Sequence, residues 1–343
     1  MAKHLVTVVI PTLHAGDNLR DTLDSLSAQT FKDFDVVVVD NSGVRLAASH
    51  ATGRQFDLSV IYMESNAGFG GAINRALQHS TAPLVALLND DAPAHPDWLL
   101  ALADSATAFT EFGMFSCQIR LAGTELLDST GMMLSRDGSS IQREHRLPWL
   151  GKESPADCLL PSGCAALYRR KALNEITLPG SPGPFDEAFQ LYCEDTDVGL
   201  RMLWQGWRCR YVHDAIVNHL YSQSAGAISP LKAYLVERNR LFLVAKNFPF
   251  TDALAALCFA PLRYLLHLRE VFAGRGKSGA FARSSHGWKL PWIVLKAHLA
   301  AIAALPRLWR QRSLILTYTR VSKARFREAI YAHRVPLAEV AKH

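Results

Sequence analysis

Val36-Val37-Val38-Val39-Asp40-Asn41-Ser42 decides the fold. Four consecutive β-branched apolar residues suit a strand covered on both faces, and strands of that kind belong to parallel sheets wrapped by helices. The segments on either side keep the same alternation. Val6 to Thr12 reads as a first strand, and Asp17 to Gln29 as an amphipathic helix with Leu19, Leu23 and Leu26 on one face. Ser59 to Glu64, Gly70 to His79 and Leu84 to Leu88 continue as strand, helix and strand, and Pro96 opens a helix through about Glu111. From Gly113 to Leu191 the Gly, Pro and Ser content implies loops and short strands. Glu194 to Gln205 has helical spacing, Gly206 is its stop, and a strand follows from Arg208 through about Val217.

Composition bounds the setting. The six cysteines among 343 residues are scattered without a C-x-x-C pair, as expected of a reducing compartment, and the N-terminus runs straight into a strand with no signal-peptide core. A cytoplasmic location is the expectation. The net charge of +6 hides an asymmetry: from Ala260 onward 16 Lys/Arg face 3 Asp/Glu, a balance of +13 that leaves −7 for the rest. Such a tail expects an anionic partner, a membrane surface or a nucleic acid. Asp252 to Phe272 and Leu290 to Trp309 are strongly apolar, interrupted by Arg263, Arg269, Lys296 and Arg307, with Trp288, Trp292 and Trp309 near their ends. Lys296 would sit inside the second stretch and Pro306 would break it, so in-plane attachment is expected over a bilayer span. Continuous aliphatic surface favours lipid over nucleic acid; packing within the chain or a homo-oligomer is the alternative.

Chemistry collects at strand ends. In open α/β sheets ligands bind beyond the carboxyl ends of the strands, and Asp40 and Asn89-Asp90-Asp91 both stand there. A single acidic residue after a strand, as Asp40 is when taken alone, is more often a turn former or helix cap. Adjacent carboxylates repel, and a divalent cation shared with a diphosphate settles that cost. Asn66-Ala67-Gly68-Phe69-Gly70-Gly71-Ala72-Ile73-Asn74 allows close backbone approach and a helix start facing a phosphate or ribose, but it has neither the P-loop ending nor the dinucleotide glycine spacing. Glu194-Asp195-Thr196-Asp197 places three carboxylates in one helical turn, more than capping needs, and one of them suits a general base. His219, after a strand, is a credible metal ligand.

In this order, Thr7-Val8-Val9-Ile10-Pro11-Thr12, Val38-Val39-Asp40-Asn41-Ser42, the Asn66 to Gly71 loop, Leu88-Asn89-Asp90-Asp91, Ser162-Gly163-Cys164-Ala165, Phe185-Asp186-Glu187, Glu194-Asp195-Thr196-Asp197 and Asn218-His219 resemble the family-two inverting glycosyltransferases of the GT-A fold, in a rhamnosyltransferase-like branch that shares features with galactofuranosyltransferases. The resemblance covers about residues 4 to 247. It implies an α/β GT-A domain over 1–248, with a Rossmann-like nucleotide half (1–112), an acceptor half (113–248), a mixed central sheet, and a helical membrane-associating extension over 249–343. Pro11, Thr12, Asp40, Asn41, Asn66, Gly68, Phe69, Gly70, Asn74, Asn89 and Asp90 then fall on the donor side, and Ser162, Gly163 and Asp197 on the acceptor side. Asp195, beside Glu194, falls where the catalytic base lies. Asp91 and His219 become ligands of Mg²⁺ or Mn²⁺. Asn89 departs from the D-x-D pattern in its first position.

The implied reaction moves a sugar, rhamnose or another hexose, from a dTDP- or UDP-linked donor to a glycan or polyprenyl-diphosphate-linked acceptor in cell-surface polysaccharide assembly, at the inner face of the membrane. A nucleotidyltransferase would also gather carboxylates at strand ends, but it calls for a basic loop after the first strand, where Pro11 to Gly16 carries no Lys or Arg. A nucleic-acid-binding α/β protein is the non-catalytic alternative.

Overall fold

The computed structural model describes residues 3–47, 54–150, 156–220, 229–274, 276–284 and 286–342. Elements follow in chain order as β1 (Val6–Thr12), α1 (Asp17–Ser27), β2 (Phe34–Asp40), β3 (Asp57–Tyr62), α2 (Gly68–His79), β4 (Leu84–Leu88), α3 (Trp98–Ala108) and β5 (Phe112–Leu121). Short strands β6 (Leu127–Ser129), β7 (Met132–Leu134), β8 (Ser140–Gln142) and β9 (Asp157–Cys158) lead to β10 (Ala165–Arg169), α4 (Arg170–Ile176), α5 (Glu194–Trp204) and β11 (Arg208–His219). Helices α6 (Pro230–Asn247), α7 (Phe250–Phe272), α8 (Gly276–Arg283), α9 (Leu290–Thr317), α10 (Lys323–Ala332) and α11 (Leu337–Lys342) complete the chain.

The main sheet runs β3-β2-β1-β4-β10-β5-β11-β9, with β6 beside β5. β1 pairs in parallel with both β2 and β4, whereas β10 is antiparallel to β4 and β5, so the sheet is mixed. The Val run behaves as its composition dictates: all four residues are buried, because α-helices cover both faces of β2. Trp98 on α3 is fully buried, and its indole N–H donates to Cys117 Sγ (3.2 Å). This α/β architecture is that of the GT-A fold.

Compactness divides the chain into residues 1–132 with 142–224, and residues 133–141 with 225–343. The division expected at residue 248 does not follow these units, because α6 packs along α9 and counts with the helices; it stands as a proposal about function. Pro306 does not break α9, which continues to Thr317. A proline removes one backbone hydrogen bond, but Leu308 and Ile315 beyond it keep the buried stripe and hold the helix together. Among the described residues one helical stretch, Gly287–Thr317, is long and apolar enough to cross a membrane by length and composition.

Inside the second unit lies a charged core. Arg240 donates to Glu237 Oε1 (2.6 Å), Arg263 Nη1 lies 2.7 Å from Glu237 Oε2, and Arg263 Nε lies 3.2 Å from Asp137 Oδ2. Tyr264 O–H also donates to Glu237 Oε1 (2.6 Å). Outside, α7 exposes Leu254, Leu257, Leu265 and Phe272, and α9 exposes Trp292, Leu295, Leu299, Ile302 and Trp309.

Candidate active site

The carboxyl ends of β1 and β4 and the loop before β10 meet at one edge of the first unit. Asn89 N–H donates to the Cys164 carbonyl (2.8 Å), which ties the end of β4 to the Ser162-Gly163-Cys164 turn. Gly163 N–H in turn donates to Asp195 Oδ2 (2.9 Å), and Thr196 N–H donates to Asp195 Oδ1 (2.6 Å). Asp195 is half-buried at the start of α5. Burial raises its pKa, and those backbone donors only partly offset the rise. A Cβ on Gly163 would stand 3.3 Å from Asp195 Oδ2 and 3.4 Å from Phe69 Cε1, so Phe69, Gly163 and Asp195 converge. Ser162 Oγ, also buried here, accepts from Gln142 (3.3 Å).

Thr12 O–H donates to Asp90 Oδ2 (2.5 Å), while Asp90 is pushed up by burial, with this hydrogen bond acting against the rise. Next to it, Asp91 Oδ1 lies 3.4 Å from His219 Nε2 at the end of β11. His219 Nδ1 meets Asp128 Oδ2 at 2.7 Å, and Asp128 Oδ1 lies 3.1 Å from His145 Nδ1. Burial would raise Asp128, but hydrogen bonds with His145 and His219 outweigh it and hold the carboxyl at about 2. For His219, burial acts downward, and Cys164, Asp128 and Asp91 together raise the pKa.

This donor set fits a divalent cation: one carboxylate, one imidazole, and a second carboxylate that orients the imidazole from behind, as is usual at metal-binding histidines. Among the described residues no three His, Cys, Asp or Glu side chains gather closely enough to hold a metal alone. Asp91 and His219 would therefore supply two ligands, with a diphosphate and water completing the shell.

Several expected site residues have other work. Asp197 is fully buried, and Arg201 donates to its Oδ2 through Nε (2.9 Å) and Nη2 (2.7 Å), so it is a brace of α5 and not an acceptor contact. Asn74 is likewise buried: its Nδ2 donates to the Phe185 carbonyl (2.8 Å) and its Oδ1 accepts from Phe185 N–H (3.0 Å), which fastens α2 to the Phe185-Asp186-Glu187 segment rather than to a donor. Glu194 is buried too, with Oε2 lacking a hydrogen-bond partner, and burial and then the Asp195 charge push its pKa well up.

Around β2, both Asp40 oxygens are engaged, Oδ1 by Ser42 N–H (3.0 Å) and Oδ2 by Ala47 N–H (2.7 Å), as a turn former would be. Asn41 Oδ1 accepts from Ala67 N–H (2.9 Å) and Asn66 Oδ1 from Gly68 N–H (2.8 Å), so the two asparagines shape the glycine loop. The glycines serve close approach of backbone to backbone. Gly68, at φ +77°, has no room for a Cβ, which would lie 2.3 Å from the Gln190 carbonyl oxygen, and Phe69 N–H donates to that same oxygen (2.8 Å). A Cβ on Gly70 would meet Phe185 at 2.9 Å. Pro11 is half-buried in β1. Asp128 and His145 were not legible beforehand, because both lie in the irregular stretch that no periodicity marks.

The fold and this edge define a glycosyltransferase of the GT-A class. Residues 7–177 match the family described as glycosyl transferase family 2, and the chain belongs to that family, in its rhamnosyltransferase-like branch. It is 27% identical over 249 residues, 65% of this chain and 78% of the relative, to the N-acetylglucosaminyl-diphospho-decaprenol L-rhamnosyltransferase of Mycobacterium tuberculosis. Among solved structures it is similar to S. aureus TarS 1-349 in complex with UDP-GlcNAc, with TM-score 0.52 and 18% identity over 97% of this chain and 90% of that one. The mannosyltransferase PcManGT from Pyrobaculum calidifontis, in complex with GDP-Man and Mn²⁺, gives TM-score 0.50 and 18% identity over 96% and 87% of the two chains.

Proposed function

We propose that this transferase inverts the anomeric carbon of a sugar, rhamnose by preference, as it moves it from a dTDP- or UDP-linked donor to a polyprenyl-diphosphate-linked glycan during assembly of a cell-surface polysaccharide. The observation that carries the reading is the placement of Asp91 beside His219 (3.4 Å) on the same sheet edge where Gly163 N–H holds Asp195 (2.9 Å). The mycobacterial relative's name supplies the sugar and the acceptor class.

In this reading Asp91 and His219 would hold Mg²⁺ or Mn²⁺, which when bound would supply positive charge beside the leaving diphosphate. Asp195 takes the proton of the acceptor hydroxyl as that oxygen bonds to the anomeric carbon and the bond to the diphosphate oxygen breaks. The N–H donors of Gly163 and Thr196 fix the carboxylate's direction, and burial makes it a stronger proton acceptor than a solvated aspartate. Asp128 orients His219, and Thr12 orients Asp90. The exposed leucines and tryptophans of α7 and α9, with the basic charge after Ala260, would keep this chemistry at the inner face of an anionic membrane.

The test is incubation with a panel of dTDP- and UDP-sugars and lipid-linked acceptors, reading nucleoside-diphosphate release, product mass and anomeric configuration by NMR. A product of retained configuration would refute the mechanism; transfer from other sugars with none from dTDP-rhamnose would refute the donor.

A further inference from the structure

A cavity of about 170 Å³ opens in the second unit, among Phe248, Phe259, Tyr331, Arg136, Arg327 and Arg334. Its three guanidiniums are not alike. Arg327 is neutralised by Asp252, whose Oδ2 accepts from Nε (2.8 Å) and Nη2 (2.6 Å). Tyr331 O–H donates to the other oxygen of Asp252 (3.2 Å).

Among the described residues no carboxylate pairs with Arg136 or Arg334. Arg136 lies over the Phe259 ring at 5.2 Å and Arg334 over the Tyr331 ring at 3.8 Å. Arg334 Nε is buried with no hydrogen-bond partner. Stacking covers the face of a guanidinium and leaves its edge N–H groups directed sideways, the geometry that receives a planar pair of oxyanion oxygens. The cavity thus presents two uncompensated positive charges above apolar walls.

Its size sets the ligand's size. It is below the usual range of a few hundred Å³ for whole small-molecule sites, so it takes a head group and leaves the rest of the ligand outside. Phe259 and Ala255 of α7 line it, and the same helix exposes Leu254, Leu257 and Leu262. An oxyanion joined to an aliphatic chain matches both surfaces at once.

We infer that this cavity binds the phosphate of an anionic glycerophospholipid, with Arg136 and Arg334 on the phosphate oxygens and the acyl chains along the exposed leucines of α7. The inference rests on the membrane attachment proposed above and adds to it a site that distinguishes one kind of anion from another. General charge attraction would favour any anionic surface equally; a two-arginine cavity favours phosphate.

The experiment uses the full chain and vesicles of phosphatidylcholine doped either with phosphatidic acid or with oleate, matched in surface charge, with co-sedimentation as the readout. The wild type should bind the phosphatidic acid vesicles about tenfold more tightly than the oleate vesicles, the scale set by two basic residues at a lipid surface. Arg136→Gln with Arg334→Gln should bring the two affinities together while leaving the melting curve in place. If the double variant unfolds, Arg136→Gln alone, on an exposed residue, carries the comparison. Arg310→Gln with Lys323→Gln, on exposed residues outside the cavity, should weaken both vesicle types alike and preserve the preference.

Equal wild-type binding to both vesicles, or a preference that survives in the cavity variant, overturns the inference although membrane attachment stands. Absence of binding to every vesicle refutes membrane attachment and the lipid assignment together. Calorimetry with inorganic phosphate then identifies the source: heat that needs Arg136 and Arg334 assigns the cavity to free phosphate, and its absence removes the anion site.

Discussion

The two compact units arrange polarity in opposite ways. In the first, valines and leucines fill the interior and Asp90, Asp91 and Asp195 gather at a sheet edge. In the second, Asp137, Glu237, Arg240 and Arg263 lie inside, while Leu257, Leu265, Trp292, Leu299 and Ile302 stand outside. A buried ion pair adds little net stability over a packed apolar pair, but it fixes which helices meet and in what register. Aliphatic surface left outside over two helices is an interaction surface. The first unit therefore presents its charge at an edge, and the second buries charge and leaves aliphatic side chains outside.

The comparison is broken most severely at the sheet edge. Asp91→Ala should lower turnover by about 10²- to 10³-fold and weaken donor binding in Mg²⁺ or Mn²⁺; full activity of the wild type in excess chelator would remove the metal from the account. Asp195→Asn keeps shape but cannot accept the proton, so kcat should fall on the order of 10²-fold with donor affinity little changed. Because burial raises the pKa of Asp195, the wild-type kcat should climb with pH through a limb above the ordinary carboxylate range, and the variant should lack that limb. Collapse of donor affinity with surviving turnover would make Asp195 a binding residue. Asp128→Asn weakens the carboxylate that orients His219, along with its contact to His145, and should cost about 10- to 100-fold in metal affinity, read by activity against metal concentration.

On the second unit, Leu295→Ser with Leu299→Ser and Ile302→Ser removes apolar surface from one exposed face of α9 and should weaken vesicle binding by about tenfold, with donor binding unchanged. High salt should reduce wild-type attachment without abolishing it, since aliphatic burial is not screened. These substitutions test attachment better than a chain cut near Phe248, which would keep Glu237 and Arg240 but remove Arg263 and Tyr264 from the same buried network.

Much of the first unit was legible because its signals are local. The Val run, the strand at Val6 to Thr12 and the acidic groups at strand ends all follow from neighbouring residues. Asp91, Asp195 and His219 were singled out by strand-end position and motif order, and their roles are part of the proposed function. Asp197 and Asn74 misled because a polar residue near a motif looks the same whether it faces a ligand or a buried partner, and Arg201 and Phe185 are distant facts of packing. Asp128 and His145 gave no signal, since their role exists only once β11 brings His219 to them. The extent of α9 was underread because Pro306 was weighed locally, whereas the buried stripe continues past it.

One backbone feature carries a consequence for anyone engineering this chain. Gln190, Tyr192 and Cys193 hold φ of +63°, +70° and +69°, a left-handed conformation that side chains with a Cβ resist, directly before the helix that bears Asp195. Cys193→Gly relieves one such torsion and, after the added flexibility of the unfolded chain, should stabilise by less than about 1 kcal/mol in urea denaturation. A loss of stability would mean that the Cys193 side chain contributes more than its torsion costs. Thermal tolerance and catalytic alignment would thus be adjusted by the same three residues, and a variant selected for heat resistance alone would be expected to drift there at the expense of turnover.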